Sequence, residues 1–219
     1  MARCEENHFL RGDRRLSEAD VQMAKHSGPI LVLIAKRQKV TTFKDFVAIA
    51  KKNFPNSVFV KQTIPVLMGR RFEAFRLYLR AYHLPDPSSW ITDQHETNSA
   101  EYIADFDPSA QRYASAKQDW SKYIPSQKNL LGVERYTKFF ASLEFFAKTH
   151  NSKKPGDALQ TQLAKIHIRS VYSEQKKILS ENNLKKIVKD EKKSRDIWVE
   201  RVRQGEHFND IVQEILIRP

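Results

Sequence analysis

Residues 67–85, which read LMGRRFEAFRLYLRAYHLP, constrain the fold of this chain more than any other stretch. Placed on a helix, the stretch carries an arc of large apolar side chains on one side and charged side chains on the other. The apolar arc consists of Phe72, Phe75, Tyr78, Leu79 and Tyr82. This pattern predicts an amphipathic helix whose aromatic face is buried.

Arginines dominate the charged side of this stretch. Arg76 and Arg80 are four positions apart, so they are neighbours on a helix, and such a like-charge pair costs an isolated helix about 0.2–0.5 kcal/mol. A helix tolerates that cost easily when the pair faces an anion. The alternative is a solvated basic face beside a core helix.

Glycine is scarce, with 6 glycines and 9 prolines among 219 residues. Few tight turns are therefore available, which disfavours a β-sandwich and favours helices. Hydrophobic residues make up 40% of the chain and aromatic residues 11%, enough for a packed core. We expect a mainly α fold, a bundle of roughly eight helices with a small β-hairpin near residues 89–97.

The first helix is predicted to begin at Ser17, because SEAD has the spacing of a capping box with Asp20 in the last position. It is predicted to end near His26, because Gly28 and Pro29 follow. A second apolar element, favoured as a helix, then covers residues 30–35. Further helices are predicted at 42–53, 69–83, 107–123, 133–150, 158–180, 184–204 and 208–216.

The segment Ile124–Asn129 has the composition of a linker and marks the predicted boundary between two subdomains. Residues 1–124 are predicted to form a basic helical subdomain for nucleic-acid contact. Residues 125–219 are predicted to form a helical subdomain for packing or a partner interface. In residues 184–204 acids alternate with bases, so we expect a solvated, salt-bridged face there.

The charge balance indicates the class of partner. The chain has 38 Lys and Arg against 26 Asp and Glu, a formal charge of +12. Such a surplus attracts polyanions, and counterion release makes DNA or RNA the expected partner. The candidate phosphate contacts are Arg70, Arg71, Arg76, Arg80, Lys36, Arg37, Lys51 and Lys52.

Motifs for catalysis are absent from the sequence. It contains no Walker loop, GxGxxG, HExxH or GxSxG, and the single cysteine, Cys4, excludes an internal disulfide and a paired-cysteine zinc site. We therefore expect a non-enzymatic protein without cofactor or metal. The longest apolar run, Ile30–Ala35, is too short to span a bilayer, and the amino terminus has no secretion signal, so a cytoplasmic protein is expected.

Two alternatives remain open. The chain can be a small subunit of a larger nucleoprotein complex, such as a CRISPR-type effector or transposition machinery, that holds nucleic acid beside partner subunits. It can also be a metal-dependent nuclease that uses Asp93, His95 or Glu96. Three polar residues in one loop do not supply the converging ligands that a metal site requires.

Overall fold

The computed structural model of the protein describes residues 16–93, 107–125, 130–149, 156–204 and 206–217. These residues form nine α-helices, two 3₁₀ helices and one short strand pair, which confirms the mainly α prediction. The helices are α1 Glu18–Arg37, α2 Phe43–Asn53, α3 Val58–Lys61, α4 Met68–Ala81, α5 Pro108–Lys117, α6 Leu130–Thr149, α7 Gly156–Ile178, α8 Glu181–Arg203 and α9 Phe208–Ile217. The 3₁₀ helices are Pro65–Leu67 and Pro87–Trp90.

Local capping signals begin several helices where the sequence predicts. The Ser17 side chain accepts from the Asp20 amide and the Asp20 side chain accepts from the Ser17 amide, so the capping box is confirmed. Thr42 caps α2 by accepting from the Asp45 amide over 3.1 Å. Asp107 caps α5, with a proline at the first helical position.

The predicted end of the first helix near His26 is wrong, because α1 continues through Pro29 to Arg37. Proline has no amide hydrogen, so the Lys25 carbonyl loses its usual helical donor. The Tyr136 hydroxyl of α6 donates to that carbonyl over 2.8 Å instead. Burial raises the pKa of Tyr136 well above its ordinary value, so the hydroxyl remains a donor at neutral pH.

Gly28 allows this contact by leaving space beside α1. A Cβ at this position would clash with the Tyr136 hydroxyl and come within 2.8 Å of the Phe75 ring. Only glycine therefore lets α6 approach α1 closely enough for Tyr136 to replace the missing helical donor.

Aromatic side chains of α4 and α6 form the centre of this core. The Tyr78 ring centroid lies 5.1 Å from that of Tyr136, 5.2 Å from that of Phe139 and 5.9 Å from that of Phe140. Phe72, like these four, is buried. The apolar stripes of these two helices thus pack on each other, as helical periodicity predicts.

The strand pair joins Thr41–Thr42 (β1) to Ile91–Thr92 (β2) in parallel register. The hairpin predicted near residues 89–97 extends into residues 94–97, which lie outside the described residues. Its described part pairs with β1, a partner distant in the sequence.

The chain divides into two compact units. One covers residues 16–149 and contains α1–α6, and α7–α9 belong to the other. The division at residues 149 and 150 differs from the boundary predicted near residue 124, because α6 packs against α1. In the second unit, the buried rings of Trp198 and Phe208 lie 5.2 Å apart and Tyr172 contacts both.

We predict that Tyr136→Phe lowers the free energy of unfolding by about 1–3 kcal/mol, because it leaves the part-buried Lys25 carbonyl without the tyrosine donor. Gly28→Ala should cost about 1–3 kcal/mol through overpacking. Combining the two changes should cost less than their sum, because the phenylalanine lacks the clashing hydroxyl.

Urea unfolding of the wild type, both single variants and the double variant measures these values. Tyr113→Phe is the matched control, because Tyr113 is 64% exposed, and it should change stability by less than about 0.5 kcal/mol. Full additivity of the two changes would contradict the proposed contact.

Candidate nucleic-acid interface

Two of the predicted phosphate contacts, Arg70 and Arg71, bind one buried carboxylate. Arg70 approaches Asp20 Oδ2 through Nε at 3.1 Å and Nη2 at 3.0 Å, and Arg71 Nη1 lies 2.6 Å from Asp20 Oδ1. The Asp20 side chain is only 2% exposed and also accepts from Ser17. This carboxylate therefore joins the capping box of α1 to the first turns of α4.

Arg76 makes a second internal ion pair. Its Nε lies 2.7 Å from Asp86 Oδ2, and its Nη2 donates to Ser88 Oγ over 2.7 Å. The Arg76 side chain is 12% exposed. The Asp86 amide in turn donates to Gln111 Oε1 over 2.8 Å, so this network ties α4 to the 3₁₀ helix Pro87–Trp90 and to α5.

Arg80 is the fourth arginine of α4, and burial lowers its pKa from the ordinary value. Arg71, Arg76 and Arg80 are thus all half-buried, and Arg70 shares its carboxylate with Arg71. The packing gives these guanidinium groups a structural use, and the geometry of α4 lends no support to its predicted role as the main phosphate-binding helix.

The other four predicted phosphate contacts lie at the protein surface, at the ends of two helices. Lys36 and Arg37 lie in the last turn of α1, and Lys51 and Lys52 lie in the last turn of α2. All four side chains are exposed, and none makes an ion pair with the residues that the structure describes. Favourable interaction with the carboxyl ends of these helices accounts for part of this placement.

The eight predicted residues do not converge on one point. Asp20 and Lys36 lie about 24 Å apart along α1, at a helical rise of about 1.5 Å per residue. The arginine pair at Asp20 is therefore far from the cations at the other end of this helix.

The four exposed cations lie near the two ends of α2, with Lys36 and Arg37 shortly before its first turn and Lys51 and Lys52 in its last turn. This helix begins just after α1 ends, and the Phe54 ring at its C-cap lies 4.5 Å from the His26 ring of α1. The helix thus runs back beside α1 with cations near both of its ends, about 16 Å apart.

Sequence reasoning missed one member of this group. Lys44 is exposed in the first turn of α2 and lies seven and eight positions before Lys51 and Lys52, which places all three on one helical face. That spacing was present in the sequence. We define Lys36, Arg37, Lys44, Lys51 and Lys52 as the basic strip.

The residues considered for a nuclease are described only in part. Asp93 is half-buried just after β2, and His95 and Glu96 lie outside the described residues. The structure therefore adds no support for this alternative.

The mainly α fold is the most specific class to which this chain can be assigned. No family model, curated protein or solved structure matches it. None of the described helices combines the length and apolar composition needed to cross a membrane.

We predict that Asp20→Asn lowers the free energy of unfolding by about 3–5 kcal/mol, because it leaves two arginine side chains without their shared carboxylate. Thermal and urea unfolding measure this change. Asp45→Asn is the matched control, since Asp45 is an exposed acid in the first turn of α2, and it should cost less than about 1 kcal/mol. Equal effects of the two changes would contradict the structural role of Asp20.

Proposed function

We propose that this protein is a non-enzymatic nucleic-acid-binding protein that holds the sugar-phosphate backbone with the basic strip. The observation that supports the proposal most strongly is that these five cations are exposed and make no ion pair with described residues. Lys36 interacts electrostatically with the exposed Asp119. The other four cations are available to phosphates without the loss of an ion-pair partner among the described residues.

Counterion release supplies the driving force. Each lysine or arginine that neutralises a phosphate displaces condensed cations from the nucleic acid, and the entropy of that release favours binding at low salt. The formal charge of +12 also raises the rate of encounter with a polyanion.

Phosphate contacts position a protein on nucleic acid and carry no sequence information directly. The basic strip consists of flexible cationic side chains near helix ends, without a defined base-reading helix. We therefore expect binding that depends strongly on salt and weakly on sequence.

A subunit of a larger nucleoprotein complex is the second candidate. Val58, Ile64 and Val66 are 59%, 50% and 81% exposed, and they lie close together in the sequence between α2 and α4. Exposed apolar side chains of this kind favour a partner protein. A dissociation constant for the isolated chain weaker than about 10⁻⁴ M would favour this candidate over a free-standing binder.

We predict that Lys51→Ala combined with Lys52→Ala weakens nucleic-acid binding about tenfold and lowers the magnitude of the salt slope by about 2, because two phosphate contacts are lost. Fluorescence anisotropy of a labelled nucleic acid, titrated at several salt concentrations, measures both quantities.

Lys138→Ala combined with Lys148→Ala is the matched control. It removes the same charge, but Lys138 already pairs with Glu134 at 2.5 Å and Lys148 pairs with Glu144 at 2.8 Å. This control should leave the salt slope nearly unchanged. If the two double variants weaken binding equally, the basic strip has no special role, and if the wild type shows no salt-dependent binding, the proposed function is wrong.

A further inference from the structure

Helix α8 carries a second concentration of positive charge, in the other compact unit. Lys185, Lys186, Lys189, Lys192 and Lys193 are all exposed. At about 100° per residue they fall within one arc of about 120°, over a length of about 12 Å. We call this surface the α8 lysine face.

Two of the acids that alternate with these lysines in the sequence, Asp190 and Glu191, lie outside this arc. Asp190 Oδ2 accepts from Trp198 Nε1 over 2.8 Å. Glu191 faces Tyr172, where burial first and the charge of Glu191 second raise the pKa of the tyrosine to about 12. Both carboxylates are thus turned towards aromatic residues of this unit.

The remaining acids on the lysine arc lie at its ends. Glu181 lies one turn before the face and pairs with its first lysine, Lys185, at 2.8 Å. Asp196 and Glu200 follow it, and Glu200 pairs with Arg203 at 2.9 Å. Lys189, Lys192 and Lys193 make no ion pair with described residues, so the salt-bridged face expected from the sequence does not extend to these three lysines.

The opposite side of α8 holds the lysines in place. Ile187, Trp198 and Val202 are buried on that side, and Trp198 packs against Phe208 of α9. A helix anchored along its length presents its exposed side chains at fixed spacing, which lowers the conformational cost of binding an extended ligand.

The character of the face indicates which polyanion fits it. The exposed large apolar side chains of α8 are Val188 and Ile197, at 39% and 58% exposure, and the one aromatic residue of α8, Trp198, is buried. Membrane-surface helices use exposed Trp, Phe and Leu, and single-strand binders stack bases on exposed aromatic rings. This face offers neither.

Charge density favours a duplex. A double helix carries one phosphate charge per about 1.7 Å of axis, against one per about 3.4 Å for each strand, so a length of about 12 Å carries about seven phosphate charges in a duplex and about three or four in one strand. We infer that the α8 lysine face is a second nucleic-acid contact and binds the phosphate backbone of a duplex. The inference takes its ligand class from the proposed function but concerns a different surface.

The test compares Lys189→Ala combined with Lys193→Ala against the control Lys138→Ala combined with Lys148→Ala. Alanine has the highest helix propensity, so α8 should remain folded, and circular dichroism checks this. Anisotropy titrations use a labelled DNA duplex and its isolated strand at several salt concentrations. The α8 variant should weaken duplex binding about tenfold and lower the magnitude of the salt slope by about 2, with a smaller effect on the strand.

The outcomes separate this inference from the proposed function. If the α8 variant binds the duplex like the wild type while the Lys51 and Lys52 variant is impaired, the second contact is wrong and the proposed function stands. Equal losses for duplex and strand overturn the duplex preference. A wild type that binds neither nucleic acid but binds phosphatidylserine vesicles overturns both and assigns the face to a membrane surface.

Discussion

The hydrogen bond between the Tyr136 hydroxyl and the Lys25 carbonyl decides how the first unit is assembled. Pro29 removes the donor that this carbonyl would have within α1, and Gly28 admits the side chain that replaces it. As a result α1 continues as one helix of 20 residues. Its first turn carries Asp20, which binds the arginines of α4, and its last turn presents exposed cations. The Tyr136 contact thus supports α1 as one continuous helix, which carries an internal ion-pair site in its first turn and exposed cations in its last.

The ion pairs at Asp20 and Asp86 in the first unit use arginine, whereas the cations of the basic strip are lysines apart from Arg37. Guanidinium groups are planar, weakly hydrated and able to form several hydrogen bonds at once, which suits partly buried ion pairs. Arg71 and Arg76 of α4 take that role against Asp20 and Asp86. Ammonium groups are strongly hydrated and remain in water on flexible stems, as the lysines of α2 and α8 do. A count of positive charges does not distinguish these uses, but residue type and helical position together do.

Local signals in the sequence predict much of the fold, and distant contacts account for the errors. The caps at Ser17 and Thr42 depend on residues three positions away, and apolar periodicity predicts the buried stripes of α4 and α6. The helix through Pro29 depends on Tyr136, whose hydroxyl reaches a carbonyl 111 positions away in the chain. The ion pair of Arg71 with Asp20 spans 51 positions. Neither partner can be chosen without the tertiary structure, so the role of the α4 arginines could not be predicted.

Internal ion pairs relocate the surplus charge without reducing it. Pairing changes no residue's charge, so the formal charge of +12 persists however many arginines are paired with carboxylates. Pairing inside the protein leaves fewer acids to neutralise exposed lysines. On α8, Asp190 bonds to Trp198, and the adjacent Lys189 stays exposed without an ion pair to a described residue. The buried carboxylates that stabilise the fold are thus one cause of the unpaired positive charge on its surface, and a potential that would otherwise be screened locally extends about one Debye length into solvent.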